Sequence, residues 1–275
     1  MDSSLNAQQT TEKAKEEIKP WIRRMGRFGY MCKGLVYALV GILTFMAAIG
    51  VGGKTTGTSG VFQSVVSVPF GEAILWVISV GVFGYIIWSF IKAIKNPHHK
   101  GAITRISYAI SGLIYTALAI NAIQIASHSK SGGGNTNQTI SAMLLGQPFG
   151  RYLIGILGAI IIGYGIKEFY EGFTEKFMSK FQLGEMEKHE KKVARNSGKI
   201  GLMARGVVLG MIGFFFIQTA WTTDPSKSKG MDGALSEIVQ KPFGQWLLGI
   251  VALGFILYGI YQMARGRYQH MSFGK

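Results

Sequence analysis

The sequence predicts an all-α integral membrane protein with six transmembrane helices in three tandem repeats. Of the 275 residues, 48% are hydrophobic and only 16% are charged, whereas soluble domains carry about 25% charged residues. Six apolar segments are long enough to cross a hydrocarbon core as helices, which takes about 20 residues each. The tripeptide Pro-Phe-Gly occurs three times, each time just before such a segment. Composition and segment length therefore predict the class, and the tripeptide predicts the repeat.

The six predicted spans contain almost no ionisable side chain and many glycines, both of which are typical of membrane helices. In chain order they cover residues 28–50, 73–94, 104–127, 151–171, 200–221 and 245–264.

The basic residues predict the orientation. Of the 29 Lys and Arg residues, 23 lie on the side that carries both termini and six lie on the other side. By the positive-inside rule both termini are cytoplasmic. The net charge of +15 is therefore assigned to contact with anionic lipids on the cytoplasmic side, and no nucleic-acid partner is predicted.

The three copies of the tripeptide bring the rest of the chain into register. A tyrosine follows each proline by sixteen residues, and a glycine precedes each by 35 or 36. The motif residues are Pro69, Phe70, Gly71, Pro148, Phe149, Gly150, Pro242, Phe243 and Gly244. The aligned tyrosines are Tyr85, Tyr164 and Tyr258, and the aligned glycines are Gly34, Gly112 and Gly206. Periodicity of this kind indicates triplication of one two-helix unit.

Each unit crosses the membrane an even number of times, so all three units have the same orientation. Parallel repeats of this kind are related by an axis along the membrane normal, which predicts a six-helix bundle around a pseudo-threefold axis. We expect each proline to occupy the first turn of the span that follows, where its missing N–H is not needed. The glycine is expected to let the chain turn.

Short apolar runs precede the three motifs and predict short interfacial helices at the outer surface. These runs are "VFQSVVSV", "ISAMLLGQ" and "ALSEIVQK".

The tracts "RFGYMCKGLVYALVG" and "PFGEAILWVISVGVFGYIIW", which recur in altered form in the other two units, resemble the bacterial membrane family known as domain of unknown function 1206. The resemblance covers almost the whole chain, from Arg27 to Arg265. The third unit departs most, with Leu209 where the others have Tyr37 and Tyr115. The resemblance implies three tandem two-helix units in the bacterial cytoplasmic (inner) membrane, and it implies no reaction and no ligand.

The chain is accordingly divided into a cytoplasmic amphipathic segment, three repeats, a charged linker and a tail. Their predicted bounds are 1–27, repeat one at 28–98, repeat two at 99–171, the linker at 172–199, repeat three at 200–265 and the tail at 266–275. The N-terminal segment is interpreted either as a helix on the membrane surface or as a disordered tail. Phe169, Phe173, Phe177 and Phe181 recur every four residues, which predicts that the fourth span continues as an amphipathic helix. This helix would lie on lipid headgroups or bind a cytoplasmic partner.

Three ionisable residues within the spans are candidates for a functional site, because such residues are costly in a bilayer. They are Lys33, Glu168 and Arg205, and Lys33 and Arg205 occupy equivalent positions in their repeats. One hypothesis is that Glu168 neutralises one of the cations and that the group forms an inner gate or contacts an anion. The alternative is that these side chains extend to the cytoplasmic interface.

A second set of candidates is neutral. Gln124 and Gln218 are repeat equivalents, and Asn121 lies one helical turn from Gln124. These amides either line an axial path or join helices by hydrogen bonds.

No catalytic motif is present, and the single cysteine, Cys32, excludes an intrachain disulfide and a multi-cysteine metal site. We therefore predict no enzyme activity, no cofactor and no metal. The preferred function is a non-enzymatic scaffold, an accessory subunit with a membrane or cytoplasmic protein partner, or a lipid-organising protein. The alternative is a passive channel or carrier-like conduit for a small solute, ion or lipid along the pseudo-threefold axis.

Overall fold

The described part of the chain is all-α. A computed structural model describes residues 20–51, 57–95, 102–127 and 136–269. Apart from one isolated bridge between Phe181 and Gln269, these residues form helices and the turns between them. Most of the predicted N-terminal amphipathic segment and of the predicted tail lies outside the described residues. The described end of that segment, from Pro20, is the first turns of a long helix.

Nine α-helices are found in the described residues. They are α1 (Pro20–Ala48), α2 (Thr58–Val66), α3 (Gly71–Lys95), α4 (Ala102–Ala126), α5 (Thr136–Leu145), α6 (Gly150–Phe173), α7 (Lys188–Thr222), α8 (Met231–Val239) and α9 (Gly244–Tyr268). Short 3₁₀ helices follow α6 and α7, at Lys176–Lys180, Leu183–Glu185 and Pro225–Lys227. The helix α7 runs without a break through the predicted boundary between the linker and repeat three.

Five helices are long and apolar enough to cross a membrane: α1, α3, α6, α7 and α9. In α4 the apolar stretch is shorter, at Ser111–Ala126, so a sixth span stays a prediction. Below, the base of the bundle is the end where α1, α4 and α7 begin, and the top is the end where α3, α6 and α9 begin.

Glycine pairs hold two pairs of helices in close contact. Where α1 crosses α9, a β-carbon added at Gly34 would lie 2.7 Å from the carbonyl oxygen of Gly259. Where α6 crosses α7, a β-carbon added at Gly206 would lie 2.7 Å from the carbonyl oxygen of Gly165. Small residues permit this approach of two backbones, which stabilises helix pairs in membranes. The two crossings are repeat equivalents, since both join an aligned glycine to the residue after an aligned tyrosine.

The third crossing, between α3 and α4, is different. The residue after the aligned tyrosine is here Ile86 instead of a glycine, and Gly112 faces the ring of Phe90, which a β-carbon would meet at 3.1 Å. In addition, α1 packs on α3 and α7 packs on α9, while no comparable packing joins α4 to α6 in the described residues. The repeats are therefore unequal in their packing, and the pseudo-threefold arrangement stays a prediction.

The Pro-Phe-Gly motif takes a conformation that we did not predict. Each helix after the motif begins at the glycine, so the expected place of proline in the first helical turn is wrong. The residue with a left-handed backbone is the phenylalanine, with φ of 62°, 65° and 60° at Phe70, Phe149 and Phe243. The proline thus belongs to the turn that precedes the helix.

The short helices α2, α5 and α8 confirm the predicted helical runs before the motifs. In α2 and α8 apolar side chains face the protein, since Val61, Phe62 and Leu235 are fully buried, whereas Met143 in α5 is exposed.

The predicted amphipathic extension of the fourth span is wrong. The helix α6 ends at Phe173, Glu175 has a left-handed backbone, and a 3₁₀ helix follows. Phe177 and Phe181 are buried and contact the ring of Tyr261, with centroid distances of 5.2 and 5.9 Å. The period of four thus reflects a segment that folds onto the base of the bundle.

Candidate functional site

A polar cavity of about 110 Å³ lies in the half of the bundle nearest the base. We call it the base cavity. It is formed by α1, α3, α4, α6, α7, α9 and the 3₁₀ helix Lys176–Lys180, and its charged lining residues are Lys33, Lys167, Glu168, Glu171, Lys180 and Arg265. Lys33 precedes the last residue of α1 by 15 positions, which is about 22 Å of helix. The cavity therefore lies well away from the top of the bundle.

A buried ion pair borders the cavity. The Nη1 atom of Arg205 donates to Oε1 of Glu168, and its Nε atom donates to the hydroxyl of Tyr37 at 3.0 Å. Both charged side chains are buried in the protein. The other carboxylate oxygen of Glu168, Oε2, is buried and has no hydrogen-bond partner among the described residues.

Lys33 is surrounded by aromatic rings. Its Nζ atom donates to the hydroxyl of Tyr85 at 3.3 Å and lies 4.6 and 4.5 Å from the ring centroids of Tyr85 and Tyr115. The residue is only 3% exposed. No carboxylate within the described ranges forms an ion pair with Lys33, so rings and one hydroxyl are the neighbours that can stabilise a positive charge there.

A second group of charges lies closer to the base. Lys92 and Arg265 both donate to the hydroxyl of Tyr30, at 2.9 and 3.2 Å. Lys180 forms an ion pair with Glu171 at 2.5 Å. Burial lowers the pKa of Lys180 below its usual value, and the attraction of Glu171 opposes that effect. Lys180 belongs to the 3₁₀ helix that covers the base, so this helix contributes a charge to the cavity wall.

The charges of this region do not balance. Glu168 is paired with Arg205 and Glu171 with Lys180. Lys33, Lys92 and Arg265 have tyrosine hydroxyls as hydrogen-bond partners and no carboxylate partner in the described part of the chain. A buried charge without a counter-charge costs several kcal/mol. An anion bound in the cavity would offset that cost.

Comparison with known proteins identifies the family. The family model for "Domain of Unknown Function (DUF1206)" matches residues 28–96, 106–175 and 200–269. The chain belongs to this family. It is also 41% identical over 268 residues to "Uncharacterized protein YxxB" of Bacillus subtilis (strain 168), which covers 96% of this chain and 97% of the relative. No solved structure matches. The three predicted tandem repeats are thus confirmed as three DUF1206 repeats.

The three ionisable candidates come together in the DUF1206 bundle. The Nζ atom of Lys33 and the guanidinium of Arg205 lie 5.8 and 5.1 Å from the ring centroid of the same tyrosine, Tyr258. Glu168 is paired with Arg205, as one hypothesis proposed. All three side chains are buried within the protein, which disfavours the alternative of extension to the cytoplasmic interface.

The neutral candidates lie elsewhere. Asn121, Gln124 and Gln218 are not among the residues that line the base cavity. The Oδ1 atom of Asn121 is buried without a hydrogen-bond partner among the described residues. The two interpretations of these amides stay hypotheses.

Sequence reasoning missed a second aligned set of ionisable residues. Lys92, Glu171 and Arg265 each follow the motif proline of their DUF1206 repeat by 23 residues. Because they fall near or beyond the ends of the predicted spans, the search for charges inside spans passed over them. Alignment of the three repeats beyond the tyrosines would have found them.

The contacts between tyrosine rings also follow the repeat. The rings of Tyr85 and Tyr115 are 4.8 Å apart at 67°, and those of Tyr37 and Tyr258 are 4.8 Å apart at 73°. Each pair joins an aligned tyrosine to the tyrosine three residues after an aligned glycine. The third equivalent pair would involve Leu209, so the aromatic wall is interrupted there.

Between the base cavity and the top, the interior is filled mostly by apolar side chains, with a few buried polar ones such as Thr44 and Ser79. The apolar side chains that are at most 1% exposed include Val40, Phe62, Leu75, Leu235, Leu248 and Phe255. Among the described residues, no group of three or more His, Cys, Asp or Glu side chains is placed to hold a metal ion.

Proposed function

We propose that this protein is a non-enzymatic, multi-pass protein of the bacterial cytoplasmic membrane that binds an anionic group in the base cavity. It acts as an anion-binding, lipid-organising scaffold of that membrane. One observation carries the proposal: Lys33 and Arg265 line the polar cavity, Lys92 donates to the lining residue Tyr30, and none of the three has a carboxylate partner among the described residues.

The proposed topology has six spans around an approximate threefold axis, with both termini in the cytoplasm. Five apolar helices, the three matched repeats and the uneven distribution of basic residues support it. In this orientation the base faces the cytoplasm, where anionic lipids supply negative charge. A protein partner on that side is compatible with the exposed charges of the first turns of α7.

The scaffold is preferred to the conduit because the apolar packing above the cavity separates it from the top. A conduit needs a polar path through the whole thickness of the membrane. The base cavity supplies a polar chamber at one end only.

The proposal is tested by the effect of anions on unfolding. Purified protein in detergent is heated in phosphate, sulfate, chloride or gluconate salts at equal ionic strength, gluconate being too bulky for a cavity of about 110 Å³. An anion that binds the folded state is expected to raise the midpoint of unfolding by roughly 5 °C at a hundredfold excess over its Kd. Lys33→Met should remove this rise.

Methionine keeps the length of the lysine side chain, and replacing a buried charge by an apolar group of similar volume is often neutral or stabilising. Lys33→Met is therefore expected to fold. Lys192→Met, on the exposed part of α7, makes the same change of net charge and should keep the anion effect. An equal midpoint of unfolding in all four salts contradicts the proposal. If proteoliposomes that contain the protein conduct anions, and if Lys33→Met abolishes this flux, the protein is a conduit and not a scaffold.

A further inference from the structure

We propose that the base cavity is a site for a phosphate group that carries a proton. This inference deepens the proposed function, because it names the ligand class of the same anion site. The ligand is either inorganic phosphate or the monoester headgroup of a phosphatidic acid, since the phosphate of each can carry a proton, which the site would favour.

The size of the cavity limits the ligand to one small group. Its volume of about 110 Å³ corresponds to roughly four water molecules at about 30 Å³ each. Pockets that enclose drug-sized molecules measure roughly 300–1,000 Å³. A nucleotide or a sugar does not fit, whereas one tetrahedral oxyanion does.

The donors around the cavity favour an anion with several oxygens. Lys33, on α1, and Arg265, on α9, line the cavity from different helices. The Nε atom of Arg265 and the hydroxyl of Tyr261, another lining residue, are buried without hydrogen-bond partners among the described residues. Buried donors without partners are destabilising, and an oxyanion can accept from several donors at once, whereas a halide is a single acceptor atom.

Glu168 selects for a protonated anion. Its Oε1 atom accepts from Arg205, while its buried Oε2 atom lacks a donor within the described ranges. At neutral pH inorganic phosphate retains a proton that it can donate to this oxygen, and a phosphate monoester, with a second pKa of about 6, does so in its monoanionic form, whereas sulfate has none. A carboxylate oxygen facing a fully ionised sulfate would be repelled. The same argument disfavours the phosphodiester headgroup of phosphatidylglycerol, which has no proton on its phosphate.

The experiment compares phosphate with sulfate. Calorimetric titration of the full-length protein in detergent at pH 7 is expected to give phosphate a Kd on the order of ten- to a hundredfold lower than sulfate, the effect of one hydrogen bond to a charged group. Glu168→Gln should bring the two Kd values together. Equal Kd values in the unchanged protein, with binding of both lost in Lys33→Met, overturn the phosphate assignment and leave the proposed function standing. Absence of binding by every anion overturns both.

A second variant covers the case in which Glu168→Gln does not fold. Tyr261→Phe removes one buried donor and little volume, so it should weaken phosphate binding several-fold. Tyr152→Phe, on an exposed position of α6, should leave it unchanged. Equal affinities in the two variants count against the assigned donors.

The source of the phosphate is found with short-chain lipids. Binding of inorganic phosphate to delipidated protein assigns a soluble ligand. Binding of dioctanoyl phosphatidic acid without binding of inorganic phosphate assigns the lipid headgroup. Equal binding of dioctanoyl phosphatidylglycerol and dioctanoyl phosphatidic acid overturns the requirement for a proton.

Discussion

At the scale of single residues, the Pro-Phe-Gly motif places one strained side chain at the top of each repeat. Phe70, Phe149 and Phe243 have left-handed backbones, which cost roughly 1–2 kcal/mol each for a residue with a β-carbon. These three residues are 85%, 78% and 80% exposed. The same strain in three copies suits a role for the exposed side chains as anchors in a membrane interface at the top of the bundle, since aromatic side chains are favoured in such interfaces.

We predict that Phe149→Gly stabilises the protein in detergent while Phe83→Gly destabilises it. Glycine removes the backbone strain at position 149, but its greater conformational freedom in the unfolded chain offsets part of this gain. The net increase in the free energy of unfolding is roughly 0.5 kcal/mol. Phe83 is exposed in the interior of α3, where glycine costs about 1 kcal/mol. Unfolding by a denaturing detergent measures both. Destabilisation of equal size in the two variants would show that the ring at 149 contributes contacts within the protein.

At the scale of helices, the fold depends on close crossings at glycine. In α7, Gly206 and Gly210 are one turn apart, yet only at Gly206 would an added β-carbon meet another helix. An added β-carbon at Gly206 meets α6, and one at Gly210 meets nothing within 4 Å. This contrast separates the effect of helix contact from the effect of helix propensity.

We predict opposite effects of alanine at these two positions. Gly206→Ala should destabilise the protein by about 1–3 kcal/mol, because overpacking forces the backbones apart. Gly210→Ala should be neutral or stabilising by up to about 1 kcal/mol, because alanine favours the helix. Thermal unfolding and size-exclusion profiles measure the difference. Tolerance of Gly206→Ala would mean that α6 and α7 can separate without loss of the fold.

The spacing of residues predicted most of this level of structure, and the failures have physical reasons. Alignment of the three motifs located the aligned glycines. In the structure two of them, Gly34 and Gly206, each contact a glycine of another helix. The pairing of Arg205 with Glu168 depends on the packing of α7 on α6, which spacing within one helix does not contain. Phe177 has the spacing of an amphipathic helix, but hydrophobic periodicity does not distinguish lipid from protein as the apolar neighbour.

At the scale of the whole molecule, the topology depends on α4. The span before it, α3, and the span after it, α6, both run from the top to the base, so α4 has to return the chain to the top. The shorter apolar stretch of α4, Ser111–Ala126, makes this the span to test.

We predict that the two ends of α4 lie on opposite sides of the membrane. In a Cys32→Ala background, Ser127→Cys should react with an impermeant maleimide in right-side-out vesicles, and Arg105→Cys should react only after permeabilisation. Lys227→Cys at the top and Lys192→Cys at the base calibrate the two sides. Labelling of both α4 positions from one side would reduce the bundle to five spans.

The inequality of the three repeats has a consequence for what the molecule can recognise. Three separate copies of one hairpin would surround their axis with identical residues, and would suit a ligand with the same symmetry. Fusion into one chain let the position before the aligned glycine become Lys33, Ser111 and Arg205, and let a single carboxylate appear at Glu168. Covalent linkage therefore allowed hydrogen-bond donors on one side of the cavity and an acceptor on another. A ligand that accepts hydrogen bonds at some atoms and donates one at another requires this asymmetry.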